Sequence, residues 1–572
     1  MLKELITPRG LALQASGEKP WQVYPRPTMR RESYVNLNGQ WDYTVTAESA
    51  LPAGYDRKIL VPFCPESRLS GVQEHPEDGN YLFYRRSFTL PEGFRKDRVL
   101  LHFGAVDQFA DIYVNQKQVY SHAGGYFAFC VDITDVLQKE NELVVRARDD
   151  LRSHVMPYGK QVLKRGGMWY TPVSGIWQTV WLESVSARHI TRLTTKNRGG
   201  SVTISIEPKL EGKVVIPNVG TFALQEGSVT VTPESPRWWS PEDPYLYDFT
   251  VETAEDRVES YFAIRSLEIK KVGGYQRLCL NGKPYFFHGL LDQGYWPDGL
   301  FTPAAPECYA EDILAMKALG FNMLRKHIKI EPEEFYYRCD QLGMVVFQDM
   351  VNNGAYSFFR DTALPTVGLQ KLCDRGLHKD PATRAEFIRE MELTVRQLEK
   401  HPSICYWTIF NEGWGQFDSD NVCASFRKMD DTRFIDTTSG WFRRSNTDVD
   451  SRHVYFRKVK LQGADKPLVL SEFGGYSYKA PEHVFNTEQT YGYGKFEALS
   501  DFAAALTGLY EQQIIPAVAK GLCAAVYTQV SDVEDETNGL LTYDRVVCKA
   551  DAAAMTAIAA GLRQELEKSC GK

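Results

Sequence analysis

Near residue 268 the chain stops reading as strand after strand and becomes short apolar strands separated by amphipathic helical segments. That change limits the available folds more than any other feature. Eight strand candidates follow it: Tyr285–Leu291, Asn322–His327, Met344–Asp349, Ile404–Phe410, Phe434–Thr438, His453–Tyr455, Pro467–Leu470 and Cys523–Thr528. Between them lie helical candidates at Pro306–Gly320, at Glu331–Leu342 and over about 382–400. Glu331 and Pro332 suit a first helical turn and Gly343 suits a stop. Eight strands with helical crossovers in about 300 residues fit a (β/α)8 barrel better than an open sheet.

The residues before this point carry no such alternation. Arg98–Phe103, Phe109–Asn115 and Asn141–Arg148 are short, turn-bounded strands of the kind that build a β-sandwich, here a jelly roll. A second set, Val202–Ile206, Gly227–Thr232, Tyr247–Val251 and Val258–Phe262, fills about 80 residues and suits an immunoglobulin-like sandwich. The expected division is 1–185, 186–267 and 268–572, consistent with 572 residues exceeding one hydrophobic core.

Two strings place a glutamate where an apolar run meets a glycine and aromatic loop: Thr408-Ile-Phe-Asn-Glu-Gly-Trp414 and Leu468-Val-Leu-Ser-Glu-Phe-Gly-Gly475. Glu412 and Glu472 then follow the fourth and seventh barrel strands, at the end where barrel active sites form. Cleavage of a glycosidic bond with retention needs such a pair, one carboxylate to attack the anomeric carbon and one carboxylic acid to protonate the leaving oxygen. Mutual repulsion and local environment can hold the two in different protonation states.

Bulk properties exclude other classes. With 66 Lys+Arg against 73 Asp+Glu interspersed and a net charge of -7, the chain lacks the basic stripe needed for nucleic acid. The first residues have no apolar signal region and no run of about 18 apolar residues occurs, so no membrane partner and a cytoplasmic location are expected. Eleven scattered cysteines, without a Cys-x-x-Cys pair, read as reduced structural thiols. The acidic segment Asp532–Asp544 lacks calcium-loop spacing, so neither a metal nor another cofactor is expected.

The two glutamate strings, with Tyr84-Arg-Arg-Ser-Phe88, Leu101-His-Phe-Gly-Ala-Val-Asp107, Ala110-Asp-Ile-Tyr-Val-Asn115, Gly175-Ile-Trp-Gln-Thr-Val180 and Trp238-Trp-Ser-Pro-Glu-Asp-Pro-Tyr-Leu-Tyr247, resemble glycoside hydrolase family 2 over nearly the whole chain. That family contains β-galactosidases, β-glucuronidases and β-mannosidases, and its N-terminal sandwich is sugar-binding-like. The resemblance implies Glu412 as acid/base, Glu472 as nucleophile and Asn411 as donor to the sugar 2-hydroxyl. It also implies Arg325 beside the nucleophile, Tyr455 donating to Glu472, and His327 in the sugar pocket. The family's usual histidine follows the arginine by three residues, whereas His327 follows by two.

Asp292, Gln293, Asp349 and Trp441 fall where sugar hydroxyls would be read, and Trp414 with Tyr476, Tyr478, Tyr491 and Tyr493 could stack on a pyranose. Trp169, Trp177 and Trp181 are candidate platforms for separate polysaccharide binding by the sandwich. Specificity rests on the segment after the eighth strand. β-Glucuronidases carry Asn-x-Lys there, and this chain reads Glu536-Thr-Asn538. A carboxylate in that place would repel a uronate, so the expected enzyme is a retaining exo-β-glycosidase of β-galactosidase type. A β-glucuronidase or β-galacturonidase with a different carboxylate clamp is the alternative, with Lys326, Lys329, Arg443, Arg444 and Arg452 as its candidates. A non-catalytic carbohydrate-binding protein is the reading from another class. The expected partner is a small or oligosaccharide glycoside, and a homo-oligomer stays open.

Overall fold

The computed structural model describes residues 1–571 apart from 367–368, 370–373, 456–457 and 464. Cys373 therefore lies outside the described residues, and the other ten cysteines are free thiols. Alternation of inward and outward residues builds the first part of the chain. A four-stranded sheet (Tyr34–Asn36, Arg98–Phe103, Phe129–Asp132, Val180–Val185) faces a six-stranded one that includes Tyr81–Phe88, Phe109–Val114 and Asn141–Arg148. Leu82, Tyr84, Leu101, Ile112, Val145 and Leu182 fill the space between them. A three-stranded and a four-stranded sheet follow, where Val202, Ile204 and Ile206 on one face of Ser201–Glu207 meet Val214, Phe249 and Val251.

The eight expected barrel strands are all present: β1 (Phe287–Asp292), β2 (Met323–Lys326), β3 (Val345–Asp349), β4 (Ile404–Asn411), β5 (Phe434–Ser439), β6 (Asp450–Val454), β7 (Leu468–Phe473) and β8 (Leu522–Tyr527). Their parallel ladder runs β5-β4-β3-β2-β1-β8-β7-β6. Side chains bridge the remaining seam, with Ser439 of β5 2.9 Å from the His453 ring of β6. Strands buried on both faces read as continuous apolar runs, and β4 and β7 are buried throughout.

Helix boundaries follow local chemistry. Helix α1 (Glu307–Ala318) connects β1 to β2, and α2 (Glu333–Leu342) connects β2 to β3. α2 begins two residues later than its sequence suggests, because Pro332 takes the cap and Glu331 turns inward to Lys326 and Lys329. Gly343 ends it at φ 72°, where an added Cβ would stand 2.7 Å from the Pro241 carbonyl oxygen. Helix α3 (Pro381–Leu398) starts at Asp380, whose carboxylate accepts the Thr383 N–H at 2.7 Å. Among the described residues no helix is long and apolar enough to cross a membrane.

The sandwich that opens the chain also contributes loops to the barrel mouth. Tyr158 donates its N–H to the Asn352 carbonyl at 3.1 Å and its hydroxyl to the Gly354 carbonyl at 2.9 Å. These bonds hold the 157–161 loop over the connection that leaves β3.

Candidate active site

Glu472 lies within β7, one residue before its end, so the rigidity of the strand fixes its carboxylate. Arg325 of β2 donates to its Oε1 at 3.0 Å and the Tyr455 hydroxyl donates to its Oε2. Burial alone would raise the carboxyl pKa. The Arg325 guanidinium, the electrostatic influence of the His453 and His327 rings and the Tyr455 hydrogen bond outweigh it and bring the value to about 2. Glu472 is therefore an anion at neutral pH, as a nucleophile must be.

Glu412 follows β4 directly and stands at φ 51°, a left-handed backbone that turns the carboxyl into the mouth. Its N–H is held by the Ser439 carbonyl at 2.9 Å. Among the described residues its side-chain partner is His453, whose Nδ1 lies 2.7 Å from Oε1; no arginine or lysine pairs with it. One oxygen of Glu412, one of Glu472 and one nitrogen of His453 lie within 4.8 Å of one another. That is the short separation used for retention. The same three donors could hold a metal ion, although the buried Arg325 guanidinium against Glu472 disfavours a second cation there.

Arg325 organises the floor of the site. It is 1% exposed and contacts Asp349 at 3.0 Å, Glu472 at 3.0 Å and the Asn411 Oδ1 at 2.9 Å. Because Asn411 accepts from Arg325, its Nδ2 is left as a donor, and that atom is buried without a partner. The amide is thus poised to donate to a hydroxyl in the pocket.

Other expected residues take different parts. The Asp349 carboxylate is taken up by Arg325 and His327, the latter at 2.8 Å. Asp292 is engaged by Lys326 at 2.6 Å and Gln293 by Gln529 at 2.7 Å. His327, mainly through burial, has its pKa lowered to about 4 and is neutral at pH 7. Trp414 is buried and stacks on Trp169 at 5.3 Å, so one of the sandwich tryptophans is a wall of the barrel site. Trp177 and Trp181 are buried and offer no platform. Trp441 packs edge-on to His453 at 5.5 Å and lines a cavity of about 560 Å³. Tyr493 stacks on Tyr455 at 4.4 Å and Tyr491 packs edge-on to Tyr493, while Tyr476 and Tyr478 pack on Phe496 and Phe502.

Each cation of the suggested basic clamp has an acidic partner, although Arg452 lines the cavity beside Trp441. Lys326 and Lys329 are buried against Glu331, Arg443 and Arg452 pair with Asp450, and Arg444 pairs with Asp420.

His453 is the residue that sequence reasoning passed over. A strand period of two puts it on the face of Tyr455, which was the available signal. Replacing His453 with Ala is expected to lower kcat by roughly 10- to 100-fold with little change in KM, since the ring holds Glu412 in line. Unchanged kcat would reduce it to packing.

Comparison with known families agrees with this geometry. Residues 271–545 match the glycosyl hydrolases family 2 TIM barrel domain, 71–162 the glycosyl hydrolase 2 galactose-binding domain-like family, and 183–265 a third glycosyl hydrolases family 2 domain. The chain belongs to glycoside hydrolase family 2. A β-glucuronidase of Bacteroides fragilis is 24% identical over 413 residues, covering 66% of this chain and 56% of that protein. A β-galactosidase of Thermoanaerobacter pseudethanolicus is 28% identical over 352 residues, covering 55% and 46%. The chain spans about half the length of the curated relatives it matches first. The fold is shared with a β-glucuronidase from an uncultured Clostridium species (TM-score 0.71, 17% identity, 96% of this chain and 100% of that one). It is shared also with a β-galacturonidase of Eisenbergiella tayi bound to galacturonate (TM-score 0.68, 19% identity, 95% and 99%).

Proposed function

We infer that this family 2 chain is a retaining exo-β-glycosidase acting on terminal β-uronides. The observation that carries the reaction is the ionised Glu472, held by Arg325 and Tyr455, with a Glu412 oxygen within 4.8 Å. Glu472 attacks the anomeric carbon while Glu412 gives its proton to the departing glycosidic oxygen, so the aglycone leaves as an alcohol and a glycosyl ester forms. Glu412, now a carboxylate, takes a proton from water. The water oxygen bonds to the anomeric carbon and the ester breaks to release Glu472 as the anion. Asn411 donates to the 2-hydroxyl, a contact that strengthens as the ring approaches the oxocarbenium-like transition state.

The choice of a uronide over galactose is supported by the glucuronidase and galacturonidase names among the relatives. The loop after β8 also leaves room for this reading. Glu536 was expected to repel a uronate, but its carboxylate accepts from the Tyr170 hydroxyl and from Gln529 at 2.9 Å, which disperses its charge within the protein. A β-galactosidase remains the second reading, favoured by the Thermoanaerobacter relative. Rates on 4-nitrophenyl β-glucuronide, β-galacturonide, β-galactoside, β-glucoside and β-mannoside separate them. The expected result is a uronide kcat/KM at least about tenfold above every neutral sugar, and dominance of the galactoside would overturn the uronide reading.

A further inference from the structure

Among the described residues four lysines are buried: Lys160, Lys326, Lys329 and Lys549. Three have an anion in reach, since Lys326 pairs with Asp292 and Glu331, Lys329 with Glu331 and Lys549 with Asp532. Lys160 is 7% exposed, and among the described residues its ammonium makes no hydrogen bond or ion pair. Its Nζ rests 5.3 Å from the Tyr170 ring centre and 6.0 Å from that of Trp414. Cation–π attraction offsets only part of the cost of burying a charge without a counter-ion.

The position of this cation is built. Lys160 belongs to the sandwich loop that Tyr158 fastens to Asn352 and Gly354. Gly159 beside it stands at φ 65°, and a Cβ there would lie 2.9 Å from the Ile328 carbonyl oxygen, so the loop lies close against the segment leaving β2. The Lys160 charge reaches His327 of that segment and contributes, after burial, to its lowered pKa. Trp414, which forms one wall, has a buried indole N–H without an acceptor. Tyr170, which forms the other, meets Glu536 of the loop after β8. The Lys160 ammonium and the unpaired Trp414 indole N–H thus belong to neighbouring side chains, and among the described residues no anion pairs with Lys160.

We propose that Lys160, supplied by the N-terminal sandwich, is the cation that binds the carboxylate of a uronide substrate. The proposal rests on the uronide reading above and assigns its clamp to a place other than the β8 loop. Rival cations are less suited: Arg165 pairs with Glu534 and Asp535, and Lys458 and Lys460 beside Trp441 are exposed to water.

The test compares the full-length wild type with K160M, K160Q and K160R on paired aryl β-glucuronide and β-glucoside, and on β-galacturonide and β-galactoside. In K160M and K160Q the uronide-to-neutral ratio of kcat/KM is expected to fall on the order of 10²-fold, and K160R retains a larger share of it. A role confined to packing would lower both members of each pair together and leave the ratio in place, which overturns the proposal. Wild-type uronidase activity with an unchanged ratio removes the clamp and leaves the uronide reading standing. A wild type that turns over only neutral glycosides removes both. Two neutral variants of different shape guard against one that does not fold, and protection of Lys160 from acetylation by glucuronate but not glucose, read by peptide mass, tests the contact without any variant.

Discussion

Glu472→Gln is expected to lower kcat on aryl β-glycosides on the order of 10⁴-fold or more, because the amide keeps the shape of the side chain and removes the electron pair that forms the glycosyl ester. The surrounding bonds explain why little else should compensate. Arg325 and Tyr455 both point at this carboxylate, and Glu412 is held by His453 on the other side of the mouth. Glu412→Ala should behave differently. An aryl substrate with a good leaving group still forms the ester, while hydrolysis of that ester slows, so intact-mass analysis finds a glycosylated chain in Glu412→Ala and none in Glu472→Gln. Adducts in the opposite variant would reverse the two roles.

The same carboxylate has a pH signature in stability. Its folded pKa of about 2 lies below the ordinary glutamate value of 4.5, so the folded state gains from its ionisation. That gain is fully present above pH 4.5 and is lost as pH falls toward 2. Glu472→Gln removes it, and acid unfolding of the variant should be less steep within that window.

The barrel was readable because most of its strands, such as β3, β4, β7 and β8, are short runs rich in apolar residues and buried on both faces, whereas β6 (Asp450–Val454) is polar and alternates buried with half-buried residues. Helix α2 shows where such reading stops. Glu331 is a good first-turn residue by composition, but two buried lysines needed its charge more, and this is a tertiary fact. The site divides in the same way. Glu412, Glu472 and Asn411 lie at strand ends, where position along the chain sets position in space. Asp349 and Asp292 lie at strand ends too, and nothing local in the sequence tells that they pair with Arg325 and Lys326. Trp169 and Lys160 come from another domain more than 100 residues before β2, so only the docking of the sandwich on the barrel brings them to Trp414.

Arg325→Met should produce the second large effect, a fall in kcat/KM of roughly 10²- to 10³-fold together with a shift of the acid limb of the pH profile. The guanidinium touches Asp349, Glu472 and Asn411 at once, which its planar fork permits and a lysine ammonium does not. Its removal leaves Glu472 buried with fewer positive neighbours, so desolvation gains weight and the carboxyl pKa rises from about 2. The nucleophile must be ionised, so activity on the acid side increases with pH through that pKa. Wild type should hold its rate well below pH 4.5, whereas the variant should lose rate at a higher pH and retain more of its residual activity at pH 8 than at pH 5. Breaking the buried pair with Asp349 also costs about 3–5 kcal/mol of stability, and among the described residues Asp349 then keeps the neutral His327 ring as its side-chain partner. Stability loss alone lowers the rate at all pH values where the protein is folded. The acid limb of kcat/KM therefore decides the matter: if it stays in place in Arg325→Met, Arg325 is a structural cross-link and the ionisation of Glu472 has another cause.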